Sequence, residues 1–249
     1  MCWSIEASTV LATAGIGTTV YAACKKEHPA LWLTLGYFSL MEALQAFTYL
    51  VIDDCASPGN QIATLLGYLH LCFQPFFGNV MALYFVPARV RERVQIWAYM
   101  ACFAGAVLML IQMYPFAWAG HCSSGIPSGQ ARALCGESLC SVSGNWHIAW
   151  LIPLNGIADW SAWYAHGMVF YAYLVPMFVL PALYGSWRLV LYHIVMGPWL
   201  AMMLTDNWNE WSAVWCLLSI GLLLIVVKTP LRQWLFVKSW PLWGKNAYD

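Results

Sequence analysis

The sequence predicts an all-α integral membrane fold, a bundle of seven transmembrane helices with the N-terminus outside and the C-terminus in the cytoplasm. Three observations predict it. Charged residues make up 9% of the 249-residue chain and hydrophobic residues 61%, whereas a water-soluble domain carries roughly 25% charged residues to coat its surface. Apolar runs recur at about the 20 residues a helix needs to cross the hydrocarbon core. Basic residues fall almost entirely on one side of a seven-span arrangement. Lys25, Lys26, Arg89, Arg91, Arg93, Arg188, Lys228, Arg232, Lys238 and Lys245 share that side, and Arg132 stands on the other. The positive-inside rule puts the rich side in the cytoplasm. Adding or removing a span would scatter these charges.

The elements follow in order within a single transmembrane domain, 1–249. The first span, 5–23, is rich in Ala and Gly, which suits close helix packing in lipid. No basic segment precedes it, so a cleavable signal peptide is not expected. The second, 31–52, ends at Asp53-Asp54-Cys55 and the turn residues Ser57-Pro58-Gly59-Asn60. The third, 62–86, carries Pro75 and with it an expected kink. The fourth spans 95–114. A Gly-, Ser- and Cys-rich outer loop, 115–149, follows, and Trp150 to Asn155 reads as a re-entrant or interfacial piece. The fifth span, 160–184, is interrupted by Pro176 and Pro181. The sixth, 189–204, carries Gly197-Pro198, and the seventh is 211–227. Trp and Tyr near the span ends fit an interfacial belt.

Nine cysteines are present. Cys55, Cys122, Cys135 and Cys140 fall on the outer side, where oxidation is permitted. One or two bridges among these four are expected, in a pairing the sequence does not choose. The competing reading is a metal site built from His121-Cys122, Cys135, Cys140 and His147, at a spacing wider than zinc knuckles use. Cys2 is the candidate free thiol.

Ionisable groups inside spans are candidate functional residues, because burying them unpaired is costly. Glu42 and Gln45 share a face of the second span, and Tyr49 continues it; His70 and Gln74 share a face of the third. By depth, Glu42 and His70 are expected to meet. Asn79 lies deeper on the third span. Asp159, Asn155 and His166 approach from the fifth span, His147 from the outer loop, and Glu210 from the start of the seventh. Asp206 and Glu210 also read as solvated loop residues or a helix N-terminal acidic pair. His193, near the cytoplasmic end, reads as unrelated. Glu42 and His70 are the candidate catalytic residues. Gln45, Gln74, His166, Glu210 and Asn155 are candidate binding residues, and His70, His166 and His147 candidate metal ligands.

The opening Met1-Cys2-Trp3-Ser4 resembles a family of uncharacterised, mostly bacterial multi-pass membrane proteins that begin this way. The segments Gly36-Tyr37-Phe38 with Met41 to Gln45, His70 with Gln74 to Phe77, Trp146 to Trp150, and Asn209-Glu210 with Trp215-Cys216-Leu217 extend the likeness over nearly the whole chain. The resemblance implies a natural unit of seven spans and brings no chemistry with it.

The function classes narrow from the residues. A net charge of +0 points away from nucleic acid. A retinal protein of microbial type would need a lysine midway along the seventh span, and Lys228 is at its end. A serine-hydrolase elbow, a phosphate-binding loop and a His-Glu-x-x-His helix are absent from the sequence. What remains is a membrane-embedded enzyme in the cell membrane, dependent on a metal ion or haem, with Glu42 as acid–base and the histidines as ligands. The alternative is a transporter, channel or sensor for a small solute or cation using the same groups, and a structural subunit of a membrane complex is third. Apart from the lipid bilayer and such a ligand, no partner is implied, and the sequence leaves the oligomeric state open.

Overall fold

The computed structural model describes residues 3–122, 134–157 and 167–243. Four long helices come first: α1 (Ile5–Cys24), α2 (Pro29–Thr48), α3 (Pro58–Tyr84) and α4 (Ala88–Ile111). Each packs on the next, as short connections between helices dictate. Their starts are set by start signals, which lie outside the apolar runs. Ser4 accepts from the Ala7 N–H at the head of α1, and Pro29 and Pro58 stand in the first turns of α2 and α3, where a missing N–H costs nothing. So α3 begins before residue 62. α4 begins well before residue 95 and carries Arg89, Arg91 and Arg93 in its first turns. α3 runs on unbroken through Pro75.

The second span ends earlier than expected, at Thr48, because Tyr49 to Asp53 form turns. Asp53 adopts φ 68°, and its carboxylate accepts from both the N–H and the hydroxyl of Ser143. Ser143 ends β1 (Cys140–Ser143), which pairs antiparallel with β2 (Ile148–Leu151), Cys140 opposite Leu151 and Ser143 opposite Ile148. The fold is therefore mostly helical but not all-α. The stretch Trp150 to Asn155, expected as a re-entrant piece, lies in β2 and in isolated bridges from Ile152 to Cys135 and from Asn155 to His121. Strand replaces helix here because Ile148-Ala149-Trp150-Leu151-Ile152 is a five-residue apolar run ended by Pro153, too short for a span.

Three broken rods follow. α5 (Gly167–Leu174) and α6 (Leu180–Leu183) are joined by a π-helical turn at Val175–Val179. α7 (Trp187–Ile194) and α8 (Leu200–Leu204) are joined by another at Val195–Trp199. Pro176 and Pro198 sit in these turns, where the wider winding absorbs the lost N–H. α9 (Trp211–Leu218) continues through a 3₁₀ turn into α10 (Leu222–Val226), and α11 (Pro230–Leu235) closes the described chain.

Ile5–Cys24, Ala88–Ile111 and Trp187–Leu204 are each long and apolar enough to cross a membrane. α2 and α3 are as long, but Glu42, Gln45, Asn60, Gln74 and Asn79 are buried on them. The exterior is apolar in turn, with Val10, Val20, Trp97, Phe103 and Met203 among the exposed side chains.

Two cores stack along the bundle. One, at the hairpin end, joins Met41, Tyr68, Met109, Ile148, Trp150 and Tyr173. The other joins Leu31, Leu35, Met81, Phe85, Ile225 and Leu235. Beyond the second core the basic residues gather. Glu27 takes Arg232 at 2.9 Å and Lys228 at 3.5 Å, Arg232 also donates to the Tyr84 hydroxyl, and Arg188 donates to the carbonyls of Trp234 and Phe236. The Arg232 guanidinium holds the Glu27 carboxyl below its usual range.

Candidate functional site

The hairpin end is built around one buried carboxylate. Glu210, at the head of α9, is 0% exposed and accepts from the backbone N–H groups of Asn145, Trp146 and His147 and from the Asn207 amide. Three successive N–H groups of the β1–β2 turn thus converge on one anion, a backbone nest. Gly144 permits the approach, because a Cβ there would fall 2.3 Å from the Glu210 carboxyl carbon. Asn209 holds the same turn region, accepting from the Leu134 N–H through its side chain and from the Trp150 N–H through its carbonyl. Asn60, at the head of α3, exchanges hydrogen bonds with both backbone groups of Ser141. Disulfides Cys55–Cys140 and Cys122–Cys135 close the assembly.

A polar column descends from this turn. The His147 Nδ1 lies 2.7 Å from the Tyr49 hydroxyl, and its ring stands beside those of Tyr49 and Trp3. Burial pushes the His147 imidazole down to about 3, so it is neutral at ordinary pH. Tyr49, Gln45 and Glu42 then follow at four- and three-residue spacing down one face of α2. The Gln45 amide donates to the Ala213 carbonyl. Glu42, 3% exposed, lies in a small cavity with Ser39, Cys216 and Ser219. Ser8 approaches the carboxyl from α1 without meeting hydrogen-bond geometry, and neither carboxyl oxygen has a hydrogen-bond partner. From that cavity a chain leads on: the Gln74 amide donates to the Cys216 sulfur at 3.6 Å, and the Tyr173 hydroxyl donates to the Gln74 carbonyl oxygen.

The column leaves four buried polar atoms unpartnered: both Glu42 oxygens, Gln45 Oε1 and His147 Nε2. In a folded interior such atoms are few, and each calls for a physical reason.

The expected Glu42–His70 contact does not form. Tyr37 stacks on the His70 ring at 3.8 Å and lies about 140° around α2 from Glu42. His70 therefore lines a broad outer groove with Leu40, Leu44 and Phe73, while Glu42 lines the inner cavity. Gln74, one turn on from His70, turns inward and joins the column. His147 and Glu210 are near it, Glu210 as the turn's anion rather than as a solvated loop residue. Asn155 is occupied elsewhere, its amide donating to the carbonyls of Ile111 and Tyr114 at the end of α4. His193 accepts from the Trp215 indole at 2.9 Å, and Asn79 donates to the Pro75 and Pro176 carbonyls. Cys2, Asp159 and His166 lie outside the described residues.

As metal ligands, His70 and His147 come to no common group. Among the described residues, His121, Cys122 and Cys135 place their ligand atoms within 4.8 Å of one another. The two sulfurs are bonded to each other, and metal ligation needs thiolates. Cys216, Tyr173, Asn60 and Asn209 are site residues the sequence reading missed. Of these, Asn60 had a signal, following Pro58-Gly59 at a helix start.

A family model described as Family of unknown function (DUF5765) matches residues 6–236, nearly the whole chain. No curated protein and no solved structure matches.

Proposed function

We propose, from the premise that the chain belongs to the DUF5765 family of unknown function, that it is a multi-pass protein of the cell membrane that binds and releases a proton at Glu42 while moving a small solute or cation. In this reading seven spans cross the bilayer, the β-hairpin is outside, and the basic end is cytoplasmic. The one-sided basic residues and the apolar exterior support it.

The row of unpartnered atoms carries the functional part. A lone carboxylate in a membrane interior must be neutralised or paired, and the one hydroxyl that approaches Glu42, that of Ser8, stands outside hydrogen-bond geometry. A proton, or a cation in its place, supplies what the fold withholds. The column of Gln45, Tyr49 and His147 links it to the hairpin end, so the exchanging ion has a polar route on one side.

Acid–base catalysis by the same carboxyl is the second reading. It is favoured by the Tyr173–Gln74–Cys216 chain, which brings further hydrogen-bonding groups to the cavity of Glu42. A metal- or haem-dependent form of that enzyme would have to draw on His166 as well.

Infrared difference spectroscopy of the protein in liposomes tests the proton site. A carboxyl band that responds to pH and disappears in Glu42→Gln is expected, together with loss of proton flux. The same band in the variant would overturn the assignment.

A further inference from the structure

A second cavity, of about 530 Å³, is bordered by α9. Tyr173 and Phe178 wall it from the α5–α6 rod, Pro198 and Met202 from the α7–α8 rod, and Trp211 and Trp215 from α9. The volume is that of a small-molecule site. Among the described residues, no charged side chain lines it.

Most of its polar groups are already occupied. The Trp215 indole donates to His193, the Trp211 indole to the Thr205 carbonyl, and the Tyr173 hydroxyl to Gln74. Ser212, in the first turn of α9, also lines the cavity and brings a hydroxyl to its wall.

The cavity opens sideways. Val179, Ile194 and Met202 line it and are also 48%, 39% and 45% exposed on the apolar exterior. Both π-helical turns border it, through Phe178 and Val179 on one rod and Pro198 on the other. Such turns recur at functional sites, where they displace side chains that a regular helix would stack.

We propose that this cavity binds a neutral, chain-bearing amphiphile taken from the bilayer. Its chain lies among Met109, Phe178 and Met202, and its hydroxyl-type head meets Ser212. A charged head is disfavoured because it would meet no counter-charge among the described lining residues. The inference rests on the membrane reading but not on any role for Glu42.

The test uses the full chain in nanodiscs and a diazirine-bearing hexadecanol as probe, with adducts mapped by mass spectrometry. Saturable labelling on Met109, Met202 and α9 is expected, reduced at least fivefold by excess unlabelled hexadecanol and by Ser212→Phe. The corresponding diazirine fatty acid should label at least fivefold less. If Ser212→Phe does not fold, Met202→Phe fills the cavity from the opposite wall and is read in its place. Non-saturable labelling spread over α1 and α4, or labelling unchanged in a folded filling variant, would overturn the site. Equal labelling by the fatty acid would overturn the neutral head. Failure of the membrane reading shows separately, as protein that does not float with vesicles on a density gradient.

Discussion

Glu210 and Glu42 are both shut away from solvent, and their surroundings treat them in opposite ways. Around Glu210 the chain supplies three backbone N–H groups and an amide. Around Glu42 it supplies an apolar helix packing and a few hydroxyls, of which Ser39 and Ser219 already donate to carbonyls of their own helices. A hydrogen bond to a charged group is worth about 1.5–3 kcal/mol net, so the first carboxylate holds its region together. The second contributes nothing comparable. Under the proposed function that difference is what an exchange site requires, because an anion already fully satisfied has little to gain from a proton or cation.

The largest effect that would break this contrast is Glu210→Gln. The amide replaces one acceptor oxygen with a donor that faces backbone N–H groups. We expect a loss of about 3 kcal/mol or more, read as a fall in melting temperature and as easier reduction of Cys55–Cys140. A loss under about 1 kcal/mol would show that the disulfides and the Asp53–Ser143 contacts hold the hairpin without the clamp.

The next effect is smaller and depends on pH. The His147 imidazole is depressed to about 3 in the fold, against an ordinary value of about 6.5. The unfolded chain therefore takes a proton that the folded one refuses. Stability from this group is complete above about pH 6.5 and falls as pH drops toward 3, by about 1.4 kcal/mol per pH unit. Glu27, held low by Arg232, loses its contribution only in the more acidic range below about 4.3. Melting curves between pH 7 and 5 thus lie clear of Glu27. Other imidazoles that desolvation also lowers, His28 among them, contribute in the same window, so His147→Gln should lessen the slope without abolishing it. An unchanged slope in that variant would assign the acid sensitivity to another group.

The smallest expected effect is Glu42→Gln, a change within about 1 kcal/mol. Glu42→Leu should be neutral or stabilising, as apolar replacements of buried charges often are. Melting temperature reads both. A loss comparable to that of Glu210→Gln would mean that Glu42 is a structural anion and would erase the contrast.

The sequence reading reached the helices through their apolar runs, and the oxidised cysteines through their placement in one outer region. Periodicity along α2 correctly put Glu42, Gln45 and Tyr49 on one face, since that face is a local property of 3.6 residues per turn. It failed for Glu42 and His70 because depth along two neighbouring helices says nothing about their rotation. Tyr37 occupies the angle around α2 that Glu42 would need to meet His70. The hairpin was missed for another reason. Its stability comes from Asn60, Asn209 and Glu210, which are distant in sequence from Ser141, Leu134 and His147, and no local pattern announces such long-range contacts. Glu210 carried two readings, a binding residue of the polar cluster and a solvated or helix N-terminal acid, and no local pattern chooses between them.

The Cys55–Cys140 bridge, 85 residues apart, bears on the order of events during synthesis. At about 5–20 residues per second, Cys55 waits on the order of ten seconds for its partner while α3 and α4 are laid down. Cys122 and Cys135 both emerge from the ribosome before Cys140, so the native pairing passes over two earlier thiols. Their own mutual bridge closes a loop of only 13 residues, against 85 for the long one. Cys140 follows Cys135 by about a second or less, so the advantage of the short ring lies in the lower entropy of closing it, and its closure leaves Cys140 as the partner for Cys55.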